Sequence, residues 1–470
     1  MWNEDNTKWL LLKNLLMVGA RGSRIVVTTH SEMVASITGA TSWCSQRGLP
    51  VEKAWNLFVK VAFGEGQLPK NQAFISLGKE ILEKCVGVPL AIGTIASLLR
   101  SWRSFQNYEL SKITQEEENY ILSTLKLSYD HLPSYLKQCF AYCRLFPKDY
   151  KIHVGTLIDL WAAQGFIKLL NPKQRIKDVG REYFRFLLWR SFFQDVEKDY
   201  WGDIWCKMHD DLATSVAGTK STVLHSKREN IGENVCHVTF NLVDLTMQFP
   251  IHMLKGKRMQ TVLGYSIEGR LHGLTCDVLV SNHKYLRTLN LWHLSLHTMP
   301  SSIGKLKHLR YLDVSENQYI KILPNSTVML LNLKSCLSLR ELPKDTKNLV
   351  NLRHLNITGC IKLTHMPHGL GNLTSLEILP CFLVKKGGFK ARSSAGVSEL
   401  RKLSNLGESL MICSIGHGKD DMTECKAANM KEKQHLHQLG LYWDIELVVE
   451  TECYDDIGQP LSKHCIHSFP

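Results

Sequence analysis

The stretches LRTLNL (286–291), LRYLDV (309–314), VMLLNL (328–333) and LRHLNI (352–357) decide the fold of the longest part of this chain. They follow the pattern Leu-x-x-Leu-x-Leu with few departures, and their starts are nearly evenly spaced, except for a shorter interval from 309 to 328. A second column, Met or Leu before Pro, recurs in the same register at 299, 323, 342 and 366. Because one copy cannot bury its own apolar face, we expect the copies to stack around a continuous core.

This spacing is typical of a leucine-rich-repeat solenoid. A degraded copy, LEILPC (376–381), continues the array, which we predict to be irregular after 380. We assign the shorter interval to a short unit at 328–346. We expect this unit to lack part of its convex side and to kink or loosen the solenoid locally.

The residues between the leucines should face out from the concave side of the solenoid, because strand side chains alternate. Arg287, Arg310 and Arg353 share one column there, which favours a ligand surface for acidic partners. The alternative is that polar residues simply occupy a solvated strand face. The residues predicted to bind a protein partner are Arg287, Asn290, Arg310, Tyr311, Asp313, Arg353 and His354.

A different pattern lies near the N-terminus, in GSRIVVTTHSEMVA (22–35). The short, β-branched run Ile25–Val27 predicts a strand buried on both faces of a parallel sheet. Residues 7–18 predict a helix with one apolar face, and a second helix should begin after Ser31. Helix, strand and helix together predict part of a doubly wound α/β sheet, in which ligands bind beyond the carboxyl ends of the strands.

Thr28 and Thr29 lie at that predicted carboxyl end. Their hydroxyls could contact a ligand, or they could simply start a turn. The apolar face of the helix before them should carry Trp9, Leu12, Leu15 and Leu16.

The composition is that of a globular protein with several domains. The chain has 470 residues, of which 44% are hydrophobic and 21% charged, and its formal net charge is +13. This charge is compatible with an anionic partner, but no run of Lys and Arg is dense enough for a nucleic-acid arm, and a generally cationic surface is the favoured explanation. The fourteen cysteines are scattered, which predicts reduced, mostly buried thiols. No apolar run is long enough to cross a bilayer.

The sequence contains no complete catalytic or metal-binding motif. The phosphate loop G-x-x-x-x-G-K-[ST] is absent, as are the G-x-S-x-G, H-E-x-x-H and EF-hand patterns. His209, Asp210 and Asp211 are adjacent, but adjacent residues of a helix point in different directions. We therefore predict neither an enzyme nor a metal site.

Several further stretches carry a family resemblance. With 22–35, they follow in the order CVGVPLAIGTIASLL (85–99), LSYDHLPSYLKQCFAYCRLFPKDYKI (127–152), WAAQGFI (161–167), MHDDLA (208–213) and CHVTF (236–240). In this combination the chain resembles the plant NB-ARC leucine-rich-repeat disease resistance proteins of the coiled-coil class. MWNEDNTKW (1–9) looks like the end of the Walker B segment of that family, so the phosphate loop is expected to be missing from this chain.

The resemblance implies a multidomain protein that combines α/β, α and leucine-rich-repeat parts. Residues 1–45 would be the remnant of a P-loop-type α/β nucleotide-binding domain, without the P-loop and Walker B. A helical subdomain with the GVPLA motif would occupy 46–115, and a winged-helix subdomain with the MHD motif 116–220. The leucine-rich-repeat domain would occupy 221–470.

The resemblance also implies a switch between bound ADP and ATP, and it assigns residues to this switch. Arg24 would read the terminal phosphate, with Thr28 and Thr29 beside it. Pro89 would pack near the adenine, and His209 would reach the β-phosphate of ADP. Without a P-loop, nucleotide binding is expected to be weak or lost.

The function implied is that of an intracellular immune receptor in plant defence, with no enzymatic activity of its own. Its repeats would recognise a pathogen effector or a guarded host protein, and a full-length relative is a further candidate partner. Neither nucleic acid nor a transmembrane segment is expected. The predicted location is the cytoplasm, with the nucleus and the plasma-membrane periphery as alternatives. Two alternative interpretations stay open at this point, an interaction or decoy module and a non-functional truncated product.

Overall fold

The computed structural model describes most of the chain and divides it into two compact units, Met1–Ala96 and Ser97–Pro470. The described residues are 6–16, 24–29, 32–39, 44, 48–64, 72–85, 87–101, 120–171, 174–199, 202–224, 231–241, 258–265, 280–299, 301–323, 329–384, 394–414, 423–424, 426–442 and 467–468. The predicted domain boundaries stay predictions. No helix among the described residues combines the length and the apolar character that a membrane crossing requires.

The first unit is helical where it is described. Its helices are α1 (Asn6–Leu16), α2 (Glu32–Ile37), α3 (Val51–Phe63), α4 (Gln72–Lys84) and the start of α5 (Pro89–Ser101). Helix α3 buries Ala54, Phe58 and Ala62, which are four residues apart and therefore share one face. Helix α4 approaches this face at Gly78, where an added Cβ would lie 2.8 Å from the Phe58 ring. The α3–α4 pair therefore depends on a glycine at that crossing.

The predicted strand at Ile25–Val27 is not formed. Residues 24–29 have no regular secondary structure, and Ile25 and Val26 are 49% and 87% exposed. A strand needs neighbours that pair with its backbone and cover its faces, and no described residue of the first unit belongs to a strand. The predicted apolar face of α1 is also wrong in part, because Trp9 is buried while Leu12 and Leu16 are exposed.

The second unit begins with a compact helical domain that carries a small sheet. Its elements are α6 (Tyr120–Asp130), α7 (Ser134–Tyr142), β1 (Ile152–His153), α8 (Val154–Gln164), α9 (Ile176–Trp189), β2 (Phe193–Lys198), β3 (Ile204–Met208) and α10 (Asp210–Val216). The strands form an antiparallel sheet in the order β1-β3-β2. Phe140, Phe192 and Phe193 pack ring against ring in its core. This arrangement of helices and a small β-sheet is a winged helix, as the resemblance implied.

A parallel seven-stranded sheet follows in the same unit. Its strands are β4 (Ser221–Leu224), β5 (His237–Asn241), β6 (Thr261–Tyr265), β7 (Thr288–Asn290), β8 (Tyr311–Asp313), β9 (Leu330–Asn332) and β10 (His354–Asn356), in unbroken spatial order. A second sheet contains β11 (Cys381–Leu383), β12 (Gly407–Cys413), β13 (His435–Tyr442) and β14 (His467–Ser468). The leucines of the repeats form one continuous buried core, as predicted.

A polar ladder closes the turns that follow the strands. The Asn317 amide, fully buried, donates to the carbonyls of Leu291 and Val314 and accepts from the backbone N–H groups of Leu294 and Leu296. In the next two repeats the thiols of Cys336 and Cys360 donate to backbone carbonyls at the equivalent place. These side chains satisfy backbone groups that would otherwise be buried without partners.

The short repeat does not lie where it was predicted. Strands β8, β9 and β10 start at Tyr311, Leu330 and His354, so the short interval precedes β9 and the interval after it has the usual length. The segment at 328–346 leads into a 3₁₀ helix at Lys344–Asn348, so its convex side is present. The backbone pairing of the strands is also continuous across the short interval, because all three residues of β8 pair in register with β9. The expected loosening of the sheet is therefore absent at these strands.

Candidate functional site

The most elaborate polar contact among the described residues joins the winged helix to the concave face of the repeats. Helix α8 ends at Gln164, and the left-handed backbone of Gly165 (φ 79°) closes a C-terminal cap. The N–H groups of Gly165 and Phe166 donate to the carbonyls of Ala162 and Trp161, each at 3.0 Å. The next two carbonyls of the helix, those of Ala163 and Gln164, remain available to groups outside it.

Two arginines of the repeats bind these two carbonyls. Arg287 donates to the Gln164 carbonyl at 3.2 Å, and Arg310 donates to the Ala163 carbonyl at 3.4 Å. The C-terminus of a helix carries a partial negative charge, so cationic groups stabilise it by about 0.3–1 kcal/mol each. Burial, and then the charge of Arg287, lower the pKa of Arg310. Two members of the predicted arginine column therefore hold a helix of the same chain.

The side chain at the end of α8 reaches into the sheet itself. The Gln164 amide donates to the hydroxyls of Thr261 at 3.0 Å and Thr288 at 2.8 Å. The Tyr142 hydroxyl lies 2.9 Å from the same Thr261 hydroxyl, and the Thr239 hydroxyl donates to the Leu145 carbonyl at 2.6 Å. Burial raises the pKa of the Tyr142 phenol, which therefore stays neutral. These contacts bind the winged helix to strands β5, β6 and β7.

An ion-pair cluster continues the contact towards β10. One Asp159 oxygen lies 2.9 Å from the Lys177 ammonium and 2.9 Å from Nδ1 of His354. Burial opposes the charge of Asp159, but Lys177 and His354 favour it, and the net effect lowers the carboxyl pKa to about 2. Lys177 and His354 are themselves buried. Removing Asp159 would leave both without their anionic partner, which is costly for buried groups.

The last contacts lie further along the repeats, around a buried carboxylate. Glu377 pairs with Arg353, and Nε of Arg175 lies 3.9 Å from its other carboxyl oxygen. Arg175 also donates to the Glu377 carbonyl, and Arg181 of α9 pairs with Glu408. All three arginines of the predicted column therefore bind partners within the chain. Arg353 pairs with a carboxylate of the repeats, and Arg287 and Arg310 donate to carbonyls of α8.

The remaining predicted concave residues are buried or structural. The Asn290 amide oxygen accepts from the Trp292 N–H at 2.8 Å. The Tyr311 hydroxyl donates to Asp313 at 2.9 Å, and burial raises the Asp313 pKa. Together with His354 these side chains are nearly inaccessible to solvent, so this part of the concave face is covered rather than open. The reason is the winged helix, which lies over this face. A role of the seven residues in binding an outside partner stays a prediction.

The residues predicted to contact nucleotide are divided between the two units. Arg24 and Thr28 are exposed on the irregular segment 24–29, beside the partly exposed Thr29, and Pro89 is the exposed first residue of α5. These four belong to the first unit, whereas His209 precedes α10 in the second.

His209 is the one member of this set with a buried polar atom that lacks a partner among the described residues, its Nδ1. Burial lowers its pKa, although Asp211 opposes this, and a neutral ring can donate one hydrogen bond. Arg24, Thr28 and Thr29 lack the strand that was predicted to precede or hold them. The roles of these five residues in nucleotide binding stay predictions.

Four residues on the winged-helix side of the contact were not predicted from the sequence: Gln164, Asp159, Lys177 and Arg175. Gln164 and Gly165 lie in WAAQGFI (161–167), and Gly after a helical pattern signals a helix end. That signal could have predicted the cap. It could not have predicted the partners of Gln164, which lie in distant repeats.

Comparisons with known proteins agree with this architecture. A family model described as "Disease resistance protein Winged helix domain" matches residues 145–213, and one described as "Leucine-rich repeat region" matches 274–451. The disease resistance protein RGA2 of Solanum bulbocastanum is 36% identical over 461 residues, which are 94% of this chain and 43% of that protein. Disease resistance RPP13-like protein 4 of Arabidopsis thaliana is 29% identical over 98% of this chain and 54% of its own length.

The chain thus spans about half, or less, of the length of these relatives. Among solved structures, a leucine-rich-repeat protein of Leptospira interrogans, LIC12759, is 16% identical, with 44% of this chain and 61% of that chain covered. Its TM-score is 0.24, which is too low to support any conclusion.

Proposed function

Because this chain belongs to the plant NB-ARC leucine-rich-repeat disease resistance proteins, we propose that it acts in an immune receptor whose repeats hold the winged helix in a resting position. Proteins of this family are not classical enzymes. The proposed activity is therefore a change of conformation, in which the winged helix leaves the concave face of the repeats and becomes available for signalling. In this proposal the chain supplies the remnant of the nucleotide-binding domain and the helical, winged-helix and repeat parts of such a receptor.

The observation that carries this proposal is the occupation of the concave face by α8 and α9. In this contact two arginines donate hydrogen bonds to carbonyls at the end of α8, and the amide of Gln164 donates to two threonine hydroxyls. Asp159, Lys177 and His354 add the ion-pair cluster. Polar groups of this kind lose little when they separate into water, since each can be hydrated again. An interface of this composition supports a reversible contact better than an apolar one does.

The partner, nucleotide and location belong to the same proposal. The signal that opens the contact would be a pathogen effector or a guarded host protein bound by the repeats, in the cytoplasm. ADP or ATP is expected from the family alone. Native purification, denaturation and assay of the released nucleotide test this point separately, and a folded chain that releases none would count against the nucleotide.

The test of the resting contact is the double variant Arg287→Glu, Arg310→Glu. It places two carboxylates against the negative end of α8, so we expect α8 and α9 to leave the sheet. Hydrogen–deuterium exchange should then rise by about tenfold or more in residues 154–166 and in β6 to β8. The matched control is Lys344→Glu, Lys347→Glu, the same change of charge at exposed positions of the repeats.

Equal exchange in the double variant and the wild-type chain would contradict the resting contact. The immune role has its own readout, the defence response after expression in leaves. We expect the opened variant to raise this response over that of the wild-type chain and the control. An opened variant that accumulates without any response would contradict the role in defence. It would not contradict the resting contact in the wild-type chain.

A further inference from the structure

A second polar surface lies on the edge of the repeats where the chain enters strands β6, β7 and β8. Three residues occupy equivalent places there, each three positions before the first residue of its strand: Arg258, Tyr285 and His308. All three are exposed, Tyr285 by 56%. We call these residues, together with the exposed Lys284, Lys305 and Lys307, the basic edge.

The side chains of Arg258, Tyr285 and His308 stack on one another. The Arg258 guanidinium lies over the Tyr285 ring, 6.0 Å from its centroid. The rings of Tyr285 and His308 are nearly parallel, at an angle of 22°, with centroids 6.0 Å apart. Neighbouring parallel strands are about 4.8 Å apart, so a stack of this kind follows from the repeat itself. It holds three polar ends in a row, a guanidinium, a phenol and an imidazole.

The charge of the three lysines of the basic edge is not balanced by acids close to them in sequence. From Val278 to Leu312 the sequence has no Asp or Glu, whereas it has five Lys and Arg. Two of these five, Arg287 and Arg310, bind α8. The other three are the exposed lysines of the edge, and none of them forms an ion pair with a described carboxylate. The patch ends at the preceding repeat, where Glu233 and Asn234 occupy the positions of Lys284 and Tyr285.

We propose that the basic edge is a binding site for an acidic polypeptide segment of a partner protein. Carboxylates match the ammonium and guanidinium groups in charge and can accept hydrogen bonds from them and from the phenol. A single-stranded nucleic acid would also match the charge, but it gains much of its affinity by stacking bases on free aromatic faces. Here Arg258 covers one face of Tyr285 and His308 lies against the other. Among the described residues, no member of the edge forms a hydrogen bond or an ion pair with α8, which is bound by Arg287 and Arg310.

The test uses the full chain and a fluorescein-labelled polyglutamate peptide of about 12 residues, which is long enough to cross the edge when extended. The variant Arg258→Glu, Lys284→Glu, Lys307→Glu should weaken binding by about tenfold or more at about 0.15 M salt. The matched control, Lys344→Glu, Lys347→Glu, Lys402→Glu, makes the same change of charge at other exposed positions of the repeats. It should weaken binding by less than about threefold.

Three results would overturn the proposal. The wild-type chain could fail to bind the peptide, or both triple variants could lose the same affinity, which would indicate net charge rather than a site. A single-stranded oligonucleotide of equal charge could bind more tightly than the peptide and depend on the same three residues, which would assign the edge to nucleic acid. Unchanged hydrogen exchange in α8 checks that the variant leaves the winged-helix contact intact, so this test is independent of the proposed resting state.

Discussion

The segment Ile25–Val27 and strand β7, Thr288–Asn290, show how little the local sequence decides about burial. The first is entirely apolar and β-branched, yet it forms no strand, and Val26 is mostly exposed. The second contains a threonine and an asparagine, yet all three of its residues are buried. The difference lies in their neighbours, because β7 pairs with β6 and β8 and carries α8 against its concave side.

The lesson is that a strand is stabilised by the elements on each side of it more than by its own propensity. Thr288 can be buried because Gln164 satisfies its hydroxyl, and Asn290 because its amide oxygen accepts a backbone N–H. Polar residues in a sheet do not therefore predict contact with solvent.

The substitution Leu289→Ala should be the most destabilising of the set. Leu289 is fully buried in β7, and removal of its side chain leaves a cavity in a continuous core. We expect the free energy of unfolding to fall by about 3 kcal/mol. The midpoint of urea unfolding measures this, and Val350→Ala, at a position that is 52% exposed, is the control. A loss below about 1 kcal/mol at Leu289 would contradict tight packing of the repeats.

Acid should weaken the covered part of the sheet through His237 in β5. Burial lowers its pKa from 6.5 to about 4, with Arg287 and Lys220 adding to the effect. The neutral ring thus stabilises the fold above pH 6.5, and this contribution is lost as the pH falls towards 4. After allowance for partial exposure, we expect a loss of about 2 kcal/mol over this window.

The measurement for His237 is thermal unfolding of the wild-type chain and of His237→Gln between about pH 7 and pH 4. The wild-type chain should lose more stability than the variant as the pH falls. Parallel pH profiles would mean that the winged helix does not bury this ring.

The substitution Asp159→Asn should loosen the winged-helix contact at β10. It keeps the shape of the side chain but removes the charge that pairs with Lys177 and His354. We expect about 1–2 kcal/mol less stability and faster hydrogen exchange near the ion-pair cluster. Asp178→Asn is the matched control, because Asp178 forms an exposed pair with Arg181. Equal effects of the two variants would mean that the buried cluster adds nothing beyond a surface pair.

The smallest change in stability is expected in the exposed segment Ile25–Val27. Val26→Thr replaces one methyl by a hydroxyl on an exposed, irregular segment, so the stability should change by less than about 0.5 kcal/mol. Differential scanning calorimetry of the first transition is the measurement. A loss above about 1 kcal/mol would show that Ile25–Val27 is buried in solution after all.

Much of the repeat domain could be predicted from the sequence alone. The spacing of the leucines set the register of β7 to β10, since each strand must place its apolar side chains on the same side of the stack. The winged-helix domain followed from the family resemblance rather than from periodicity. The short interval was assigned to the unit after Val328, although the motif starts at 309 and 328 already place it before β9.

The sequence by itself determined the repeating core, because the Leu-x-x-Leu-x-Leu pattern recurs along the chain and each copy needs the next one for burial. Only the tertiary structure decided which face of that core meets water. Arg287 and Arg310 look in sequence like ligand-binding residues on an open strand face, and they bind α8 because the winged helix lies there. Their partners, Gln164 and Ala163, belong to a different domain of the chain, and no local pattern encodes a contact between positions so far apart in sequence.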